Sequence, residues 1–195
     1  MKDLLCTRRY AEYFVRFVQD CQRKGVLVDY LTLQNEPSHG GCGTMPCMLL
    51  PEWQEATLAV RVGQKLQAAG LKTKILGYLR QTFLLILLPF RFADPGIWRS
   101  RYDHNWGKQS GVAVSGPAYP TALLSNKTVA PYIGGIAWHC YGGSESAQTP
   151  VHNLAPDKEV HMTECSGGGW SGPWHSNFIS NMRRLFVGGS NNWAQ

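Results

Sequence analysis

The sequence predicts an α/β protein built on a parallel sheet. Three observations carry that expectation. Four apolar, strand-like runs alternate with helix-like segments, the pattern of parallel strands joined by right-handed helical crossovers. Each run ends in polar, chemically able side chains, as strands do when the chemistry collects at one face of the sheet. The 195 residues, 44% hydrophobic and 16% charged, suit one globular domain with a sizeable core.

Residues 8–24 read as an amphipathic helix. Tyr10, Tyr13, Phe14, Phe17, Val18 and Cys21 follow the i, i+3, i+4, i+7 pattern, and Gly25 is a natural stop. Val26-Leu27-Val28-Asp29-Tyr30-Leu31-Thr32-Leu33 then reads as a buried strand. Pro37 cannot continue a sheet ladder, so the strand is expected to end at about Glu36. A Gly-rich loop over 38–47 leads to a helix over 51–69. Pro51 suits a first helical position, Glu52 and Glu55 favour the positive N-terminal end, and Gly70 closes the helix.

Residues 71–78 form the second strand. Residues 79–101 break the pattern: they carry Pro89 and Pro95 and show neither helical nor alternating periodicity. The polar aromatic cluster Tyr102-Asp103-His104-Asn105-Trp106 follows, then a short helix near 121–127. Residues 132–141 are the third strand. Residues 144–154 stay ambiguous, because Pro150 interrupts a helix there. Residues 159–165 are the last strand. A helix over 174–186 places Phe178, Ile179, Met182 and Phe186 on one face, and Gly188 and Gly189 end it.

Composition narrows the partners. The net charge of +6 raises nucleic acid as a ligand. The excess forms no binding stripe: residues 79–101 alone hold four arginines against one aspartate. No nucleic-acid partner is therefore expected. Leu84-Leu85-Ile86-Leu87-Leu88 is too short to span a bilayer, so no stable membrane insertion is expected either. The six cysteines show no Cys-x-x-Cys pair, and His39, Cys42 and Cys47 lack a good fourth ligand nearby. Neither a metal nor a cofactor is expected. Cys42 and Cys47 are spaced for a disulfide if the protein meets an oxidising compartment. Met1 to Cys6 includes Asp3 and no apolar core, so no signal peptide is read there. Asn126-Lys127-Thr128 is a glycosylation sequon.

Glu36, Asp103, His104, His139, Tyr141 and Glu164 lie at or just beyond the ends of the strands. In a parallel barrel those ends open on one face, so Glu36 and Glu164 can meet across one pocket. Paired carboxylates suit glycoside hydrolysis, in which one donates a proton to the leaving oxygen and the other attacks the sugar carbon. A separation of about 5 Å gives retention of configuration. Mutual repulsion raises the pKa of one member and keeps it protonated.

Four motifs in order resemble glycoside hydrolase family 30, the glucosylceramidase-like retaining β-glycosidases. They are Thr32-Leu33-Gln34-Asn35-Glu36-Pro37; Lys74-Ile75-Leu76-Gly77-Tyr78 with Asp103-His104-Asn105-Trp106; Ala137-Trp138-His139-Cys140-Tyr141-Gly142-Gly143; and Thr163-Glu164-Cys165-Ser166-Gly167. The resemblance implies a (β/α)8 TIM barrel with an attached β-sandwich, of which this chain holds roughly strands 4 to 7 of the barrel. It implies Glu36 as acid/base and Glu164 as nucleophile. Asn35 would bond the sugar 2-hydroxyl. His139 and Tyr141 would line the pocket, Tyr141 orienting the nucleophile, and Asp103, His104 and Trp106 would contact the sugar.

The implied substrates are β-glucosides of the glucosylceramide or β-1,6-glucan type, that is, a carbohydrate or glycolipid partner. The parent protein would be secreted or lysosomal. The alternative is an inactive fragment or a non-catalytic carbohydrate-binding product. Met1-Lys2 resembles the tail of a motif after the third barrel strand, so the chain is expected to start inside the parent. Residues 79–101 separate what the family joins, and are read as an unspliced intron or a genuine loop insertion in a partial catalytic domain over 1–195.

Overall fold

The computed structural model describes residues 2–38, 48–80, 117–141, 144–169 and 172–195. Helix α1 (Lys2–Arg23) starts earlier than its apolar pattern suggests. It buries Ala11, Phe14, Val15 and Val18, and packs on α2 (Glu52–Ala68), which contributes Leu58, Ala59, Val62 and Leu66. Tyr13 and Phe17, expected on the buried stripe, are exposed, so the stripe is narrower than the sequence pattern.

Strand β1 is only Tyr30–Thr32, where the apolar run predicts a longer one. Val26 and Leu27 stay exposed before it. Beyond it Leu33 is buried, and the chain turns through Gln34 to Pro37 with Glu36 in the left-handed region at φ 47°. Strands β2 (Lys74–Arg80), β3 (Ile133–His139) and β4 (Glu159–Glu164) complete a sheet in chain order, β1-β2-β3-β4, with every neighbouring pair parallel. The predicted parallel architecture is thus observed. Strand β2 runs two residues beyond its expected end, with Leu79 opposite Trp138 and Arg80 opposite His139. Residues 81–116, and with them most of the anomalous segment, lie outside the described residues.

The two faces of the sheet differ. Ile75, Ile133, Ile136 and Trp138 join the core that the helices cover, while Leu76, Tyr78 and Ala137 form a separate buried cluster. A central parallel strand buried on both faces reads as an almost unbroken apolar run, as β3 does. Helices on one face of a parallel sheet in chain order make part of a (β/α)8 barrel. The remaining helices are α3 (Ala118–Ser125), α4 (Gln148–Leu154) and α5 (Trp174–Asn181), the last continued by π-helical turns over Met182–Gly189.

Pro150 does not break α4. It is the third residue, in the first turn, where its missing N–H has no intrahelical partner to lose. Phe178, Met182 and Phe186, predicted as one apolar face, are exposed in the described chain. Among the described residues no helix is long and apolar enough to cross a membrane.

Two close approaches require glycine. A Cβ on Gly63 of α2 would stand 2.3 Å from Tyr132 Cδ1, so the helix seats directly on that ring. A Cβ on Gly134 would stand 2.8 Å from Lys74 Cβ. That gap lets Lys74 of β2 cross β3 and pair with Glu159 of β4, at the end of the sheet away from Glu164.

Glu55 is fully buried in α2. Tyr119 Oη lies 2.6 Å from its Oε2 and 2.7 Å from the Leu50 carbonyl. One hydroxyl proton cannot serve both acceptors, but a protonated Glu55 can donate to Tyr119 while Tyr119 donates to Leu50. Burial pushes the Glu55 carboxyl up to about 7. Its stabilisation is fully present below the unfolded value, near 4.5, and is lost as pH rises through about 7. The loss is expected to be on the order of a few kcal/mol. Urea midpoints between pH 4.5 and 8 should therefore fall with pH, and Glu55→Gln should flatten the profile; a native midpoint that holds or rises across this window contradicts the assignment.

Candidate active site

The C-terminal ends of all four strands converge on His139. This last residue of β3 is 3% exposed. Its Nδ1 lies 2.8 Å from the hydroxyl of Tyr78, on β2, and 3.2 Å from Oε1 of Glu36, in the turn after β1. Its Nε2 lies 3.4 Å from Oε2 of Glu164, the last residue of β4. One imidazole thus faces a carboxylate from each of its nitrogens. If Nε2 carries the proton it faces Glu164 at ion-pair distance, and Nδ1 accepts from Tyr78 or from a protonated Glu36.

The two carboxylates sit in different surroundings. The Glu36 side chain is largely enclosed, while Glu164 is nearly half exposed. Tyr141 donates its hydroxyl to Glu164 Oε1 at 2.9 Å and lies 2.9 Å from Ser166 Oγ. Burial first, with the Glu164 carboxylate adding to it, pushes the Tyr141 hydroxyl above the ordinary tyrosine range. Tyr141 therefore keeps its proton and holds one oxygen of Glu164, leaving the other toward His139.

The backbone fixes this geometry in two ways. The ladder between β3 and β4 shifts register after Trp138, so His139 pairs with Glu164. A bulge of this kind re-aims the side chains beside it. One residue further on, Cys140 and Cys165 form a disulfide, and the Cys140 N–H donates to the Glu164 carbonyl at 3.1 Å. Arg184, from the π-helical turns, donates to the Cys140 carbonyl. Among the described residues no group of three or more His, Cys, Asp and Glu could hold a metal ion.

No protein-family model matches the chain. It is 33% identical over 160 residues to an endo-1,6-β-D-glucanase of Neurospora crassa, a match over 80% of this chain and 26% of that protein. It is 30% identical over 192 residues to an endo-1,6-β-D-glucanase of Aspergillus fumigatus, a match over 95% and 30%. In structure it resembles an endo-β1,6-glucanase with a TM-score of 0.72 at 24% identity, covering 96% of this chain and 36% of that one. A GH30 endoxylanase from Clostridium papyrosolvens C71 follows the same fold, with a TM-score of 0.59 at 16% identity over 96% and 38%.

The chain is similar in sequence to fungal endo-1,6-β-D-glucanases and in fold to enzymes of glycoside hydrolase family 30. It spans about a third or less of the length of the curated relatives that it matches.

Of the family 30 residues expected from the sequence, the fold brings Glu36, His139, Tyr141 and Glu164 together. Asn35 is exposed in the turn beside Glu36, its carbonyl accepting from Gln34 Nε2 at 3.1 Å. Asp103, His104 and Trp106 lie outside the described residues, as do His39, Cys42, Cys47, Gly142 and Gly143. Tyr78 and Ser166 join the site without having been singled out. Tyr78 closes the second strand-like run, as the other site residues close theirs, and that position was its signal. The disulfide also had one: Cys140 and Cys165 each follow a site residue directly, on strands that neighbour in chain order.

Proposed function

We propose that the chain carries the two catalytic carboxylates of a retaining β-glycosidase, with Glu164 as nucleophile and Glu36 as acid/base. The observation that supports this most is that Glu36 and Glu164 reach the two nitrogens of the same buried His139. Glu164, exposed toward solvent and steered by Tyr141, would attack the sugar carbon while Glu36 gives its proton to the departing oxygen. The C–O bond to the leaving group breaks as the Glu164 ester forms. Glu36 then takes a proton from water, and the oxygen of that water displaces Glu164. His139 offers Glu36 a hydrogen-bond partner in both of its protonation states.

In this reading the strands β1 to β4 correspond to strands 4 to 7 of the barrel, and residues 79–101 are an insertion into it. The substrate is a β-1,6-linked glucan rather than glucosylceramide, because the two fungal relatives are both named endo-1,6-β-D-glucanases. Asn35 would bond the sugar 2-hydroxyl, and Asp103, His104 and Trp106 would hold the ring. The Cys140–Cys165 disulfide and the exposed sequon at Asn126 support a secreted or lysosomal protein.

The test is covalent. A hybrid is made in which residues 2–195 replace their counterpart in the Neurospora crassa relative. It is incubated with a 2-deoxy-2-fluoro-β-glucosyl fluoride, which forms the ester faster than water removes it. Peptide mass analysis should find the sugar on Glu164. A label on any other residue, or none after complete inactivation, would overturn the assignment.

A further inference from the structure

We infer that the start of α5 is a binding platform for a glucose unit of a β-glucan chain, adjoining the unit that is cleaved. This rests on the glycosidase reading only for the choice of ligand. Trp174 and Phe178, one helical turn apart, stack with centroids 5.1 Å apart and planes at 7°. They are nevertheless exposed, Trp174 by 75% and Phe178 by 48%. The pair is already aligned, so a ligand that covers it meets a surface whose side-chain order is set in advance.

The described residues that line the space beside the pair are uncharged. A cavity of about 330 Å³ is lined by Gly167, Gly168 and Gly169 together with Trp174, Phe178 and Asn181. That is at the lower end of the roughly 300–1,000 Å³ of small-molecule sites. Asn177 Nδ2 donates to the carbonyls of Gly168, at 3.3 Å, and Gly172, at 2.9 Å, and so holds the loop against the helix. Among the described residues the lining offers flat aromatic faces, two amides and bare backbone, with no ionic side chain. A β-glucose ring matches this set. Its axial C–H bonds form a flat apolar face that packs on the electron-rich face of an aromatic ring. Its hydroxyls need neutral donors and acceptors around the edge. Among the described lining residues a phosphate or a cationic ligand would find no counter-charge.

Position ties the platform to the site. In a β-strand, loop, α-helix unit, the helix starts at the face where the strand ends. Residues 165–173 join Glu164 to Trp174, so the platform shares the face of the two glutamates. Asn181 Oδ1 lies 3.8 Å from Sγ of Cys165, the residue next to Glu164. A polymer lying across Glu164 continues over the glycine loop toward Trp174. The platform thereby favours an extended chain over a single glucoside.

Titration calorimetry of the 195-residue chain with a linear β-1,6-linked glucotetraose tests this without any need for turnover. Trp174→Ala is expected to weaken binding about tenfold or more, and Phe178→Ala by a smaller factor. Both side chains are exposed, so the variants should keep the far-ultraviolet circular dichroism of the native chain. Methyl β-glucoside, which cannot reach both places, should bind native and Trp174→Ala chains alike. Equal glucotetraose affinity of native and Trp174→Ala chains, or no binding heat from the native chain, overturns the platform. A chain that binds through Trp174 while its hybrid is not labelled at Glu164 keeps the platform and sinks the catalytic reading. A labelled hybrid whose chain is indifferent to Trp174 does the reverse.

Discussion

Glu164→Gln in the hybrid is expected to lower hydrolysis of an aryl β-glucoside roughly 10⁴-fold or more, because among the described residues no other carboxylate stands where Tyr141 and His139 hold this one. Glutamine keeps the size and the contact with Tyr141, so the loss reports nucleophilicity rather than packing. Glu36→Gln should behave differently. Proton donation matters in proportion to the basicity of the leaving group. An activated aryl glucoside should therefore still form the ester at close to the native rate, while cleavage of a β-1,6-glucan falls about 10²–10⁴-fold. Steady-state rates on the two substrates separate the roles. If Glu36→Gln slows ester formation equally on both, Glu36 is not the acid; if Glu164→Gln keeps the native rate, the nucleophile lies elsewhere.

Removing the disulfide should have the largest effect on stability. Cys140 and Cys165 are 25 residues apart in sequence, and closing a loop of that size restricts the unfolded chain by about 3 kcal/mol. Replacing both with serine should lower the urea midpoint of the chain accordingly. A reducing agent should lower the native midpoint toward that of the double variant and leave the variant itself unmoved. The bond also joins the two strand ends that carry His139 and Glu164. Activity in the hybrid should consequently fall with reduction even where the protein stays folded. A native midpoint and rate insensitive to reductant would show that the ladder and Arg184 fix the strand ends alone.

The alternation of strand and helix was legible because it rests on burial periodicity, which each segment carries in its own residues. The order and parallel sense of the sheet followed from it. Local limits were harder. The run from Val26 to Leu33 is apolar throughout, yet only Tyr30–Thr32 pairs, because pairing depends on where β2 begins to offer partners. Tyr13 and Phe17 fit the helical pattern as well as Phe14 does, but which flank of α1 is covered depends on α2. At the site, Glu36, His139, Tyr141 and Glu164 could be read from strand-end position and the family motifs. Their common partner could not: that Glu164 addresses the same His139 as Glu36 depends on the register shift after Trp138, which has no signature in composition. Tyr78 carried the same strand-end signal and was passed over, because a tyrosine closing a strand-like run reads first as core.

The left-handed backbone at Glu36 sets folding and chemistry against each other. A glutamate at φ 47° costs on the order of 1–2 kcal/mol that a glycine would not. Any search for sturdier sequences that scores only resistance to heat will thus be drawn toward glycine at this position, and will discard the proposed proton donor on the way. Only selection for turnover keeps the less comfortable residue. A library screened by thermal challenge and one screened by glucan cleavage should diverge first at residue 36.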